Sequence, residues 1–188
     1  KGRPVELLPV DEALDAAAQA HALVAAKADV VIGPTDSSNA EATIDVLSRA
    51  RTPLISPANT ASGLTGAESG GFYFRTAAAD IAQAPVLAKL AKDAGAASLA
   101  VLYQEGAYGK DVATAVSKAA AQAGLDVPVT EAFAPGEAGQ AAAAAGQANA
   151  DAVVLVARDG AQGALAELAN AGVAGSRIIL SDGAFARY

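Results

Sequence analysis

The sequence predicts an α/β fold built on parallel sheets with helices on both faces, and three observations carry that prediction. Short apolar runs rich in Val, Ile and Leu recur along the chain, at residues 30–32, 54–56, 99–103, 153–156 and 178–180. Ala- and Leu-rich segments long enough for helices alternate with them. Gly, Pro or an acidic residue punctuates most of the joins. Strands that are apolar on both faces belong to parallel sheets buried under helices, and a strand–helix alternation is the pattern that produces them.

In chain order, residues 5–8 read as a strand and 11–26 as a helix with Leu14, Ala18, His21 and Leu23 or Val24 on one side. A strand at 30–32 leads to a helix at 39–50, with Ile44 and Leu47 inward, and then to a strand at 54–56. A loop with Ser62, Gly63, Thr65 and Gly66 precedes a short strand at 72–74. Asp80 caps a helix that runs to Asp93 and stops at Gly95, a C-terminal cap signal. A strand at 99–103 is followed by a helix at 110–123 that ends at Gly124. Residues 127–133 form a strand, where Pro128 marks an irregular start or a sheet edge. A helix at 140–148, a buried strand at 153–156, a helix at 161–171 closed by Gly172 and a strand at 178–180 complete the series.

Up to Phe74 the loops carry hydroxyls. After Thr76-Ala77-Ala78-Ala79 a new strand–helix series begins, with Asp and Glu at its strand ends. The chain therefore divides into a first lobe at 1–76 and a second at 77–188.

At 188 residues and 53% hydrophobic composition there is enough apolar material for one or two small domains. Only 4% is aromatic and Cys, Met and Trp are absent, so Ala, Leu, Val and Ile must fill the core. The alanine run at 141–145 reads as helix, since Ala is the best helix former. A net charge of −7 speaks against nucleic acid or an anionic membrane as partner. The apolar runs fall well short of a membrane span. The chain opens on Lys1 rather than Met, and no basic leader with a hydrophobic segment and cleavage site is recognisable in it.

Catalytic apparatus is not visible. There is no Gly-x-Gly-x-x-Gly after a strand and no Gly-Lys-Ser loop. His21 is the single histidine and reads as a half-buried structural residue in mid-helix. No carboxylate cluster has metal-ligand spacing. Neither a cofactor nor a metal is expected, and the chain does not read as an enzyme.

Two constellations remain. Thr35, Ser37 and Ser38 follow the strand at 30–32, and Ser56, Ala58 and Thr60 follow the strand at 54–56. Helix capping and an ordinary proline turn are the plain alternatives. Yet ligands of open α/β sheets sit beyond the carboxyl ends of the strands, and hydroxyls with peptide N–H groups beside a helix N-terminus suit an anion. The second constellation is Glu105, Tyr108, Arg158, Asp159 and Asp182, all at or just past strand ends of the second series. Singly, each is a solvated loop group. Together they form an acidic and aromatic wall for an ammonium, opposite a hydroxyl wall for a carboxylate, which matches an α-amino acid.

At these residues the chain resembles the type I periplasmic solute-binding proteins of the branched-chain amino-acid (leucine/isoleucine/valine-binding) ABC-transporter family. The resemblance runs through Gly2-Arg3-Pro4-Val5-Glu6-Leu7, Val31-Ile32-Gly33-Pro34, Pro53-Leu54-Ile55-Ser56-Pro57, Thr60, Leu64-Thr65, Phe74-Arg75-Thr76, Asp80, Gln83, Val101-Leu102-Tyr103, Tyr108-Gly109 and Ser181-Asp182-Gly183. It implies a two-lobed fold that closes on its ligand. It also implies an extracytoplasmic substrate-binding component, periplasmic or at the cell surface, that serves a membrane permease.

By resemblance Ser38 or Ser37, Ala58 and Thr60 hold the ligand carboxylate, Tyr108 closes from the second lobe, and Asp182 meets the ammonium, with Asp80 beside them. Arg158 departs from the family pattern. It either recognises an acidic group of the ligand or pairs with Asp159 or Asp182. A ligand-sensing domain of a receptor or regulator is the alternative with the same fold, and an α/β enzyme the more distant one. In length the chain corresponds to the middle portion of such a protein, with the opening strand and helix of the first lobe and the end of the second absent. Sheets incomplete in that way expose edges, through which homo-oligomers are expected.

Overall fold

The computed structural model describes residue 2 and residues 4–185. The chain divides into two compact units, one ending at Ala79 and the other beginning at Asp80.

The first unit runs α1 (Ala16–Ala25), β1 (Val31–Ile32), α2 (Ala40–Arg49), β2 (Leu54–Ser56) and β3 (Tyr73–Arg75). Its three strands are parallel in the order β1-β2-β3, with Val31 opposite Leu54 and Leu54 opposite Tyr73. Val31 and Leu54 turn to the helices, where Ala20, Leu23, Ala40, Ile44 and Leu47 close the core. The next residues along the strands point the opposite way, as the pleat requires, and Ile32 and Phe74 there are 67% and 53% exposed.

Two expectations fail in this unit. Residues 5–8 form no strand, and Val5 and Leu7 are 85% and 83% exposed. Their apolar character is local, and no described strand pairs with them. In α1 the buried residues are Ala20 and Leu23, whereas Leu14, Ala18 and His21 are exposed. An alanine-rich helix offers similar small faces all round, and its two larger apolar residues, Leu23 with Val24 beside it, select the one that turns inward. The helix also starts at Ala16, later than the pattern suggests, because the Asp15 carboxylate accepts the Ala18 N–H at 2.7 Å and caps it there.

The second unit runs α3 (Ala84–Asp93), β4 (Leu99–Gln104), α4 (Ala107–Gln122), β5 (Thr130–Phe133), α5 (Gly139–Ala148), β6 (Ala152–Val156), α6 (Ala161–Asn170) and β7 (Ile178–Leu180). Four parallel strands stand in the order β5-β4-β6-β7. Leu99, Val101, Val154 and Val156 face α3 and α4, packing on Leu87, Ala91, Val112 and Val116. Ala100, Leu102, Val153 and Leu155 face α5 and α6, packing on Ala141, Ala145, Ala164 and Leu168. Alternate residues of β4 and β6 thus serve two apolar cores, which is why these strands read as unbroken hydrophobic runs.

Elements of this unit differ from the sequence reading mainly at their starts. Asp80 lies in a 3-10 turn at Asp80–Ala82, and α3 begins only at Ala84, with Pro85 in its first turn. Gly106, at φ +124°, turns the chain out of β4 tightly enough for α4 to start at Ala107. β5 is an edge strand and begins beyond Pro128, which supplies no ladder donor.

β4 connects to β5 on one side, and the chain then crosses back to β6 and β7 on the other. The order reverses between β4 and β6, so the crevice beyond their carboxyl ends is the switch point where open α/β sheets take ligands.

Candidate functional site

At the end of β4, Gly109 lets the first turn of α4 come down on the strand. A Cβ there would lie 1.8 Å from the Gln104 carbonyl oxygen. This close approach seats the neighbouring Tyr108, 8% exposed, with its hydroxyl at the loop after β7.

The Tyr108 hydroxyl lies 2.6 Å from Asp182 Oδ1 and 3.0 Å from Ser181 Oγ. A hydroxyl has one proton, and the shorter, charge-assisted bond to the carboxylate takes it. Ser181 and the Gly183 N–H, at 3.2 Å, then stand as donors to the phenol oxygen. Burial, reinforced by the Asp182 hydrogen bond, raises the phenol well above the usual tyrosine range, so Tyr108 stays a neutral donor.

Asp182 itself is exposed, just beyond β7. Its Oδ1 accepts from Tyr108 and also from Gln83 Nε2 at 2.9 Å. Gln83 Nε2 donates in turn to Oδ1 of the buried Asp80 at 2.7 Å. Tyr108, Asp182 and Asp80 are therefore joined in one network, with Gln83 and Ser181 as members that strand-end reasoning did not single out. The signal available was the Asp80-x-x-Gln83 spacing, which places both side chains on one turn.

Arg158 follows β6. Its N–H donates to Gln104 Oε1 at 3.0 Å, and its guanidinium lies 3.8 Å from the exposed Asp159 carboxylate. Its stem borders the network: a Cβ on Gly183 would be 3.1 Å from Arg158 Cγ and 2.8 Å from the Tyr108 hydroxyl. Glu105 is exposed beside β4. Asp182 makes no ion pair among the described residues.

In the first unit the hydroxyls mostly tie loops together. Ser56 Oγ donates to the Pro34 carbonyl at 2.7 Å and accepts the N–H of Asn59 at 2.9 Å and of Ala58 at 3.3 Å. Ser37 is buried, and its Oγ receives the N–H groups of Thr60 and Ala61, each at 3.3 Å. Ser38, whose N–H donates to the Asp36 carboxylate at 2.8 Å, and Ala58 are exposed, and Thr60 is half-buried. Thr35 is taken up by Glu12, which accepts its N–H at 2.6 Å and its hydroxyl.

The 3.3 Å bonds lie beyond the usual N–H···O range, so the N–H groups of Ala58 and Thr60 are weakly held. Asn59 is fully buried. Its Oδ1 accepts from the Tyr73 hydroxyl at 3.3 Å, and its Nδ2 has no hydrogen-bond partner among the described residues.

Among the described residues no group of three or more His, Asp or Glu is placed to hold a metal ion. No described helix is long and apolar enough to cross a membrane.

A family model described as periplasmic binding protein matches residues 1–187 of this chain. The chain belongs to the periplasmic binding protein family. Its parallel, helix-flanked α/β architecture is the type I fold that the sequence resemblance implies. Among solved structures it is similar to an ABC-transporter solute-binding protein from R. palustris, crystallised in complex with 4-hydroxybenzoate. The TM-score is 0.79 at 21% identity, over 88% of this chain and 46% of that one. The chain thus spans about half the length of that solute-binding protein. No curated protein matches it.

Proposed function

We propose that this chain is the substrate-binding part of an extracytoplasmic component of an ABC importer. It takes an amino acid or a related small carboxylate and delivers it to a membrane permease. The observation that carries the reading is the Asp182 carboxylate. It is exposed, oriented at one oxygen by the neutral donors Tyr108 and Gln83, and without an ion pair among the described residues. An ammonium completes such a carboxylate with a charge-assisted bond.

The ligand carboxylate is assigned to the first unit, to the hydroxyls of Ser38 and Thr60 and the weakly held N–H groups of Ala58 and Thr60. Ser37 supports them by holding the Thr60 and Ala61 N–H groups. Asp80 acts through Gln83, and Arg158 borders the Asp182 loop. That both sets serve one ligand is part of the proposal, as in the family's two-lobed arrangement. Binding alone accounts for these groups, and no reaction is assigned to them.

A second reading comes from the R. palustris structure, whose ligand is 4-hydroxybenzoate. An aromatic acid of that kind offers Asp182 a phenol hydroxyl in place of an ammonium. Isothermal titration of the chain against the common amino acids and against 4-hydroxybenzoate separates the two. Saturable heat with an amino acid, weakened about ten-fold or more by Asp182→Asn, supports the first reading. Saturation by 4-hydroxybenzoate alone selects the second, and no saturable heat with either class overturns both.

A further inference from the structure

We propose that Gln83 is the positioning residue of this site: its side-chain amide tethers Asp182 to the buried Asp80 and so presents Asp182 Oδ2 to the ligand. The inference deepens the reading above and rests on it for the role of Oδ2. The tether itself stands on this network alone.

The amide of Gln83 is used at three points. Nε2 donates to Asp80 Oδ1 at 2.7 Å and to Asp182 Oδ1 at 2.9 Å, which engages both of its protons. Oε1 faces the Asp182 N–H at 3.4 Å, a weak bond beyond the usual N–H···O range. This arrangement settles which end of the amide is which, since two carboxylate oxygens require donors and a peptide N–H requires an acceptor. A planar group engaged at both ends cannot rotate without breaking a bond to a carboxylate. One of those carboxylates, Asp80, is 1% exposed and belongs to the turn that starts the second unit. The exposed partner, Asp182, just beyond β7, is thereby fixed to a buried point.

The choice of an amide follows from charge. Lys or Arg would also bridge two carboxylates, but would neutralise Asp182 and remove its attraction for a ligand donor. Glu has the length and lacks the protons. Asn has the protons and is one methylene shorter. Gln alone gives two protons on one nitrogen, no charge and this reach. Because Tyr108 and Gln83 both converge on Oδ1, the remaining acceptor, Oδ2, accepts no hydrogen bond from the described residues. Both donors therefore orient the carboxylate without consuming the oxygen that the ligand needs.

Two measurements test this. In the ligand-free chain, the side-chain amide protons of Gln83, assigned by their loss in Gln83→Leu, should resonate downfield of an ordinary glutamine pair in a 1H–15N correlation spectrum. Asp182→Ala should return one of the two to the ordinary position while the fold's backbone resonances persist. Ordinary shifts in the unsubstituted chain, or shifts indifferent to Asp182→Ala, overturn the tether. By titration with L-leucine and 4-hydroxybenzoate, Gln83→Leu should weaken whichever probe binds by about ten-fold or more, the worth of a hydrogen bond to a charged group. Unaltered affinity in a folded Gln83→Leu overturns the positioning role. Should neither probe bind the unsubstituted chain, the transport reading and the role assigned to Oδ2 fall, and the resonance test still decides the tether.

Discussion

Replacing Gly109 by alanine puts a methyl group where the end of β4 leaves no room for one. The added Cβ would sit 1.8 Å from the Gln104 carbonyl oxygen, whereas ordinary contact begins near 3.4 Å, so the two must separate by at least 1.6 Å. The obstacle is backbone on both sides: the first turn of α4 and the last residue of a central strand. Neither can swing aside as a side chain would. The strain belongs at the top of the range for overpacking, about 3 kcal/mol or more. With a urea dependence of about 1–3 kcal/mol per molar, the unfolding midpoint falls by about 1–3 M.

The matched control is Gly163→Ala in α6. A Cβ there meets nothing within 4 Å, and helix propensity gives back about 0.5–1 kcal/mol. Urea titration followed by circular dichroism at 222 nm reads both variants. A Gly109→Ala midpoint equal to or above that of Gly163→Ala would refute the close approach that seats Tyr108.

Tyr108 gives a test at alkaline pH. Burial and the Asp182 bond raise its phenol, so the folded state favours the protonated form. The resulting stability is complete below the ordinary tyrosine value of about 10 and is lost as pH climbs beyond it. Spectrophotometric titration near 295 nm should show a last-ionising phenol that Tyr108→Phe removes, and an unchanged curve would contradict the buried bond. Asp151 gives the acid counterpart. The N–H of Ala97, with the hydroxyl and N–H of Ser98, holds its carboxyl below the usual range. Its contribution is present at neutral pH and lost as pH falls through the carboxylate range. Asp151→Asn should therefore flatten the acid side of a stability profile, and an identical acid limb would count against those bonds.

The strands were legible because β4 and β6 serve two cores, which leaves runs such as Val153-Val154-Leu155-Val156 apolar on both faces and rich in β-branched residues. The inward face of α1 was not legible, since Ala contributes almost no contrast between faces and His21 fell on the outer one. Val5 and Leu7 show the converse: apolar character alone does not make a strand, and no described strand pairs with them. At the site, Tyr108 and Asp182 were readable as strand-end groups. Their mutual bond was not, and nor was the role of Ser37, because a hydroxyl that caps a turn and one that binds a ligand look the same in sequence. Gln83 and Asp182 stand 99 residues apart, so only the parallel crossovers that bring α3 and the end of β7 together reveal the bridge.

That bridge also bears on what the site can select. Tyr108 is held protonated and Gln83 carries no charge, so neither compensates Asp182, and the chain as a whole is already at −7. Neither group bonded to Asp182 carries a positive charge, so an anionic group brought to it meets repulsion, whereas an ammonium or a hydroxyl meets an oriented acceptor. In the proposed reading, the acidic end of the ligand must therefore be held by uncharged donors elsewhere. The N–H groups of Ala58 and Thr60 and the hydroxyls of Ser38 and Thr60 are donors of that kind. Orientation of the ligand then follows from repulsion at one end as much as from attraction at the other.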